Sequence, residues 1–473
     1  MSHVFDPVVL REYDVRGVVG PRFGEADARA LGRSFATRVR RAGGRRVAVG
    51  YDGRLTSPAL EAALVDGLLA SGVDVVRTGL GPTPQLYFAE ATLAGDVAVD
   101  AGVQVTGSHN PPDYNGFKMV LRHQPFHGAD IQDLARLAAA GDWETGTGSV
   151  EAVSVFDAYV AALVANAPAT PFRIGWDSGN GAAGPVVEAL VARLPGEHHV
   201  INGAVDGHFP NHHPDPTVEA NLAQLKALVA KKALDFGVAF DGDGDRIGAV
   251  DGRGRVIWGD QILALLAEPV LRRHPGATIV ADVKSSGMLF DRIAALGGRP
   301  VMAKSGHSLL RARMQAEAAP IAGELSGHIF FADDWYGFDD AQLAAVRLMA
   351  AVAASGQTLT ALHDAMPALC TSPELRIPVD EARKFAMPDE VRAVLARSGA
   401  EVDTTDGVRV TTADGWWLLR ASNTEAALTV RAEARDEAGL ARLLEEVDAA
   451  LRGVGVHTLS RTAGEGQVAK RPG

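Results

Sequence analysis

Short apolar runs alternate along most of the chain with longer Ala/Leu-rich stretches of helical character. The runs fall at residues 47–50, 73–77 and 102–106, again at 173–176, 199–202 and 236–240, and a third time at 278–281, 300–303 and 320–322. Short apolar strands alternating with helices predict parallel α/β sheets. The same layout three times over marks an internal repeat. Thr56-Ser57-Pro58 predicts a helix opening, with a cap residue and a proline in the first turn. Gly259-Asp260 predicts another ahead of residues 261–274. After a break at Met366-Pro367 the pattern changes. Residues 408–411 and 416–420 flank Ala413-Asp414-Gly415 as a hairpin, 427–433 read as a strand, and 437–452 as an amphipathic helix. The predicted fold is α/β: three tandem related α/β domains with mixed, mainly parallel sheets, plus a smaller C-terminal α+β domain around one central cleft. Boundaries are expected at 1–153, 154–254, 255–367 and 368–460, with a polar, flexible tail at 461–473.

Each repeat places a polar cluster after its third strand: Gly107-Ser108-His109, then residues 241–246, then residues 324–328. Functional groups in open α/β sheets gather outside the carboxyl ends of strands, so three different loops predict one shared cleft. Residues 105–118 read Val-Thr-Gly-Ser-His-Asn-Pro-Pro-Asp-Tyr-Asn-Gly-Phe-Lys. Strand 102–106 delivers Ser108 onto a rigid, exposed bend, and Pro111 and Pro112 forbid a smooth helix start. Asn115-Gly116 predicts a turn, and 117–121 a returning strand that brings Lys118 back. A serine beside a histidine and near a lysine is a candidate covalent nucleophile. Taken alone, the segment would read as an ordinary Ser-rich turn.

Asp241-Gly-Asp243-Gly-Asp245-Arg246 follows an apolar strand. Alternating glycines let the backbone fold tightly, so that three carboxylates face one point. Hard anionic oxygens suit Mg²⁺. A calcium EF-hand fails here, because Arg246 takes the required glycine position and Gly252 that of the bidentate Glu. Three crowded aspartates repel one another unless neutralised, which disfavours a plain surface turn. Glu324-Leu325-Ser326-Gly327-His328 offers an acceptor, a hydroxyl and an imidazole suited to sugar hydroxyls. Arg420-Ala421-Ser422-Asn423-Thr424 packs donors into one short loop, an anion nest in pattern and a capped turn otherwise. His208, His212 and His213 with Asp206 and Asp215 sit among prolines and read as a stiff loop, not a second metal site. Trp416-Trp417 reads as packing within the small domain.

Composition narrows the partners. The 473 residues are 47% hydrophobic and 22% charged, ordinary for a globular protein of several domains. A net charge of −12 without a Lys/Arg block argues against nucleic-acid or anionic-membrane partners. An anionic substrate must therefore be held by a local cationic cleft. The single Cys370 excludes an internal disulfide framework and fits a reducing cytoplasm. The N-terminus lacks a basic start followed by an apolar core, so no secretory signal is expected. Apolar runs such as 262–267 are too short to span a bilayer.

Thr106-Gly-Ser-His-Asn-Pro followed by Tyr114-Asn-Gly-Phe-Lys resembles the phosphoserine loop of the α-D-phosphohexomutases, nearest their bacterial phosphomannomutase/phosphoglucomutase branch. The similarity runs from Tyr13 to about Arg452. It implies an isomerase that interconverts hexose 1-phosphate and hexose 6-phosphate through phosphorylated Ser108 and a hexose 1,6-bisphosphate. It implies one Mg²⁺ on Asp241, Asp243 and Asp245, with the Ser108 phosphoryl as the remaining ligand, and a cytoplasmic monomer. Arg16, Arg246 and Lys118 would hold the phosphoryl oxygens, and Lys118, His109, His307 and His328 are the candidates for proton transfer. Tyr13, Lys284 and His307 match positions lining the family's cleft. Glu324 and Ser326 match its sugar-reading groups, with Leu325, Gly327 and His328 completing that loop. The 420–424 loop matches its anchor for the non-reacting phosphate. Gly107 and Leu325 lean towards mannose and glucose phosphates and away from the phosphoglucosamine mutases. A sugar-phosphate phosphatase or a non-catalytic sugar-phosphate sensor are rival readings. An intact nucleophile, metal triad and second phosphate clamp disfavour both.

Overall fold

A computed structural model describes residues 2–456 and 469–471, apart from Pro21, Glu381, 397–400 and 423–425. The first three domains build sheets with one shared core order. In the first, Asp74–Leu80, Arg46–Tyr51 and Ala101–Val105 lie side by side in parallel, and Tyr114–Leu121 adds antiparallel. In the second the same places belong to Gly196–Ile201, Phe172–Asp177, Phe236–Phe240 and Ile247–Asp251. In the third they belong to Arg299–Ala303, Thr278–Asp282, Ile321–Gly323 and Ile329–Phe331. The repeat is thus one of four strands. The sequence pattern gives the antiparallel member only in the first domain, because its counterparts follow the polar loops at once.

Asn115 and Gly116 do not form the expected turn. They lie inside Tyr114–Leu121 and pair with Gly17 and Arg16 of Val15–Val18. Turn propensity is overridden by a non-local partner. A Cβ at Gly116 would stand 2.2 Å from the Val15 carbonyl oxygen, so the approach of the two strands needs glycine. Asn115 is buried and donates its Nδ2 to Thr56 Oγ1 and Ser57 Oγ, both at 2.9 Å. Thr56 is accordingly no cap: its side chain makes no capping bond to the helix Ser57–Ala70, although Pro58 sits in the first turn as expected.

The fourth domain is an antiparallel sheet of Glu401–Asp403, Val408–Thr411, Gly415–Ala421, Ala427–Ala434 and Leu369–Thr371, backed by Met387–Leu395 and Glu437–Gly453. Of the tail expected to be flexible, Ala469–Arg471 pair with Leu369–Thr371, and the rest lies outside the described residues. Trp417 is in this domain's core, but Trp416 is not: it packs at the junction with the third domain, against Val283 and Met302. One apolar core runs through the second and third domains and takes in Tyr87, Phe88 and Val120 of the first, and further cores fill the first and fourth. Among the described residues, no helix is long and apolar enough to cross a membrane.

Candidate active site

The loops beyond the strand ends converge on a cleft of about 1060 Å³, lined from all four domains. Ser108 lines it at only 1% exposure, so the expected exposed bend is instead a buried turn at the cleft wall. Its φ is +50°, in the left-handed region that a non-glycine residue adopts only under constraint. Ser108 Oγ donates to Asp241 Oδ2 at 2.9 Å and lies 3.2 Å from His109 Nδ1. The aspartate loop docks onto the serine loop closely: a Cβ at Gly242 would stand 2.4 Å from the Ser108 carbonyl oxygen.

Asp241, Asp243 and Asp245 are each fully buried, and one carboxylate oxygen from each lies within 4.8 Å of the others. Lys118 Nζ donates to Asp243 Oδ2 at 2.7 Å and also to Asp245 Oδ2. Burial would depress the Lys118 ammonium, but the two carboxylates outweigh it and raise its pKa, so it stays a cation. Asp241 is pushed well up, first by burial and then by the charges of Asp243 and Asp245. Asp243 goes the other way. Burial would raise it, but the charge and hydrogen bond of Lys118 and the Thr83 hydroxyl hold it low. Asp243 Oδ1 and Asp245 Oδ1 are buried and make no hydrogen bond among the described residues. Unpaired buried carboxylate oxygens aimed at one point fit a hard divalent cation.

Arg246 and His328 pair as an isolated antiparallel bridge, joining the aspartate loop to residues 324–328. Arg246 Nε donates to His328 Nε2 at 3.0 Å, so the ring proton sits on Nδ1, which faces Asp339 Oδ2 at 2.8 Å. Burial first, and the Arg246 charge against the pull of Asp245, hold His328 down to about 4. His307 stacks on it with ring centroids 5.6 Å apart and is likewise held well below its ordinary value, chiefly by burial and Lys118. His109 is lowered by burial and by Arg246, Arg16 and Lys118. All three imidazoles are neutral at pH 7. Arg16 is anchored by Asp14 and by Asn110 Oδ1, and Tyr13 donates its hydroxyl to the Ser305 carbonyl at 2.8 Å.

In the same loop as His328, Glu324 accepts from Gly306 N and from Ser326 Oγ, the latter at 3.2 Å, and burial raises its pKa. Leu325 N is fixed by Asp282 Oδ1 at 3.0 Å. Lys284 reaches Glu374 at 3.4 Å, across from the third domain to the fourth. Arg420, 8% exposed, pairs with Asp406 at 3.0 Å and lines the cleft with Ser422. Ala421 ends its strand outside the cleft lining, and Asn423 and Thr424 lie outside the described residues.

Residues 8–144, 157–254 and 258–369 match the alpha/beta/alpha domains I, II and III of the phosphoglucomutase/phosphomannomutase family, and 374–450 match its C-terminal domain. This chain belongs to the phosphoglucomutase/phosphomannomutase family. It is 42% identical to a phosphomannomutase/phosphoglucomutase of Pseudomonas putida, over 92% of this chain and 93% of the relative. It is 39% identical to a phosphoglucomutase of Neisseria gonorrhoeae, over 92% and 95%. A crystal structure of a phosphoglucomutase/phosphomannomutase family protein from Burkholderia thailandensis superposes with a TM-score of 0.91 at 41% identity, over 98% of this chain and 100% of that one.

In this phosphoglucomutase/phosphomannomutase family member, Ser108, the aspartates, Lys118, Arg16, Arg246 and the three histidines come together, although 125 residues separate Lys118 from Asp243. Glu324, Ser326, Lys284 and Arg420 face the same cleft. Sequence reasoning missed Thr83, which donates both its N–H and its hydroxyl to Asp243. It also missed Asp339, the His328 partner, and Glu374. The Asp339-Asp340 pair ahead of an apolar helix was a usable signal. Asp340 caps Ala341–Ser355 through Leu343 N, which leaves its neighbour for another task.

Proposed function

We propose that this chain is a phosphohexomutase that interconverts the 1- and 6-phosphates of α-D-mannose and α-D-glucose. The observation that carries the reading is the Ser108 Oγ–Asp241 contact at 2.9 Å beside a cleft that Arg420 and Ser422 of the fourth domain also line. Ser108 is the phosphoryl carrier. The sugar hydroxyl attacks phosphorus, the P–Oγ bond breaks as the new P–O bond forms, and the hydroxyl proton passes to a neutral imidazole. His307 is the favoured acceptor, because Lys118 is held as a cation, His109 is engaged with Ser108, and the two ring nitrogens of His328 face Arg246 and Asp339. Arg16, Arg246 and Lys118 hold the equatorial oxygens, since phosphoryl transfer depends mainly on positioning and charge stabilisation. Asp241, Asp243 and Asp245 would hold Mg²⁺, which when bound draws charge from the phosphoryl group. The hexose 1,6-bisphosphate then turns end over end. Glu324, Ser326 and the Arg420–Ser422 anchor accept either orientation, and the second phosphate returns to Ser108. The single, buried Cys370 suits a cytoplasmic setting.

One assay separates the readings. Mannose 1-phosphate is supplied with Mg²⁺ and a trace of hexose 1,6-bisphosphate, and products are read by phosphorus NMR. The 6-phosphate supports a mutase, steady release of inorganic phosphate a phosphatase, and no conversion a sensor. Parallel kinetics on glucose and glucosamine 1-phosphates rank the sugars. A preference for glucosamine 1-phosphate would overturn the mannose/glucose assignment.

A further inference from the structure

The strand in the second place of the shared core order leads, in each α/β domain, to an aspartate. Asp52 follows Arg46–Tyr51, while Asp177 and Asp282 end Phe172–Asp177 and Thr278–Asp282. All three are buried and bind loops beyond the strand ends. Asp177 accepts from Gly179 N and Asn202 Nδ2. Asp282 accepts from Leu325 N in the sugar-facing loop and from Ser305 Oγ. In the first domain the tied loop is the one bearing Ser108. Asp52 Oδ2 accepts from Thr106 Oγ1 at 2.7 Å and from Gly107 N at 3.2 Å, and Thr106 Oγ1 accepts from Ser108 N at 2.7 Å. The relay ends on the amide of the serine itself.

Arg54 grips the same loop from behind. Its Nε stands 3.2 Å from Asp52 Oδ2. Its Nη2 donates to the carbonyls of Ser108 at 2.7 Å and Asn110 at 2.6 Å, and its Nη1 to those of Tyr114 at 3.0 Å and Pro111. Phe209 from the second domain lies over the guanidinium at 5.2 Å, and Arg54 is 1% exposed. A buried cation needs hydrogen bonds in place of water, and the four that the Arg54 Nη atoms donate all go to carbonyls between Ser108 and Tyr114. That loop contains the left-handed Ser108 backbone, a conformation that persists only when its surroundings over-determine it. Neither Asp52 nor Arg54 lines the cleft.

We infer that Asp52 and Arg54 are positioning residues for phosphoryl transfer: the aspartate, through Thr106, and the guanidinium, through four loop carbonyls, hold Ser108 Oγ against the aspartate triad. This rests on the reading of Ser108 as phosphoryl carrier. The two residues touch no substrate, so they act on the rate of transfer and not on binding.

The test uses Thr106→Val, which removes the relaying hydroxyl at nearly constant volume, together with Arg54→Lys, Asp52→Asn and Asp52→Ala in the full chain. Turnover of glucose 1-phosphate, KM, melting temperature and single-turnover transfer from phosphorylated Ser108 are measured. Thr106→Val and Arg54→Lys should lower kcat and the single-turnover rate by roughly 10- to 100-fold, the scale of a small misplacement of a reacting atom, with KM within about threefold. Asp52→Asn should recover part of what Asp52→Ala loses, because one acceptor oxygen remains. Should Arg54→Lys fail to fold, Thr106→Val decides. Normal kcat in Thr106→Val, a rise in KM with kcat unchanged, or a rate loss matched by loss of folded protein at the assay temperature would each overturn the inference. Wild type and Ser108→Ala run alongside. A wild type without mutase turnover sinks the reading of the site. An active wild type with an inactive Ser108→Ala and normal Thr106→Val and Arg54→Lys sinks this inference alone.

Discussion

Asp241 carries two burdens that point in opposite directions for stability and for chemistry. Burial and the neighbouring Asp243 and Asp245 disfavour its charge, yet its Oδ1 accepts from Asp245 N and Arg246 N, both at 3.1 Å, and its Oδ2 from Ser108. Asp241→Asn keeps an oxygen for the two amides and removes the opposed charge. The metal-free variant should therefore melt a few degrees higher than wild type, the shift expected for about 1 kcal/mol. It should also lose most of the Mg²⁺-induced rise in melting temperature, together with turnover. Thermal scans in EDTA and in Mg²⁺ check both halves, and an unchanged Mg²⁺ response would remove Asp241 from the ligand set. Ser108→Ala should lower kcat by on the order of 10⁴-fold or more, as loss of a nucleophile does. The intact mass of the variant after incubation with hexose 1,6-bisphosphate should show no added phosphoryl group. The candidate nucleophile and the aspartate cluster were legible in the sequence because each is a contiguous run with its chemistry on display. Thr83 and Asp339 were not, because what they do depends on a partner far along the chain: Thr83 on Asp243, Asp339 on His328.

At the scale of elements, the central repeated strands were readable because they are buried on both faces and so largely apolar, as in Phe236–Phe240 and Thr278–Asp282. Asn115-Gly116 was misread for the complementary reason: a turn signal is local, whereas the pairing of Tyr114–Leu121 with Val15–Val18 spans a long sequence separation. The 206–216 loop shows a similar dependence. His212 Nε2 meets the buried Asp177 at 3.0 Å, which ties this proline-rich loop to the end of Phe172–Asp177. Burial would lower the His212 pKa, but the hydrogen bond and charge of Asp177 outweigh it and raise it. A raised folded-state value means that the folded protein holds this proton more tightly. The contribution is fully present below about pH 6.5, the ordinary histidine value, and is lost as pH rises through the higher folded value. Between pH 6 and pH 9, wild type should lose more unfolding free energy than His212→Gln, by about 1 kcal/mol. Parallel denaturant titrations at the two pH values would reveal the difference, and identical slopes against pH would remove His212 as its source.

The cleft is a property of the whole molecule: four domains contribute to it, and nothing local in the chain announces which loops will meet. Contacts of different strength hold the fourth domain to the third, among them a bond from Ser305 N to Asp406 Oδ2 at 3.1 Å. One is a buried anchor. Arg409 donates to the carbonyls of Val283 and Ser285 and lies 3.7 Å above the Trp416 ring, while Glu433 accepts from Trp416 Nε1, Ser286 Oγ and Gly287 N. Another is the Lys284–Glu374 pair at the cleft wall, long at 3.4 Å and partly exposed. Truncating the buried guanidinium in Arg409→Ala leaves the Val283 and Ser285 carbonyls without their donor and should cost about 1–3 kcal/mol. The wall pair is weak by comparison, at about 0–1 kcal/mol. A rigid pivot beside weaker contacts would let the fourth domain swing about Arg409 and Trp416, and on the proposed function that swing would bring Arg420 and Ser422 onto a bound phosphate. Small-angle scattering should then show a smaller radius of gyration with hexose 1,6-bisphosphate than without. Glu374→Gln should leave the compaction intact, because the wall pair is not the pivot. Arg409→Ala should instead broaden the distance distribution of the free protein. If ligand leaves the radius unchanged in wild type, the fourth domain is fixed in place and the cleft must admit and reorient its sugar phosphate without closing.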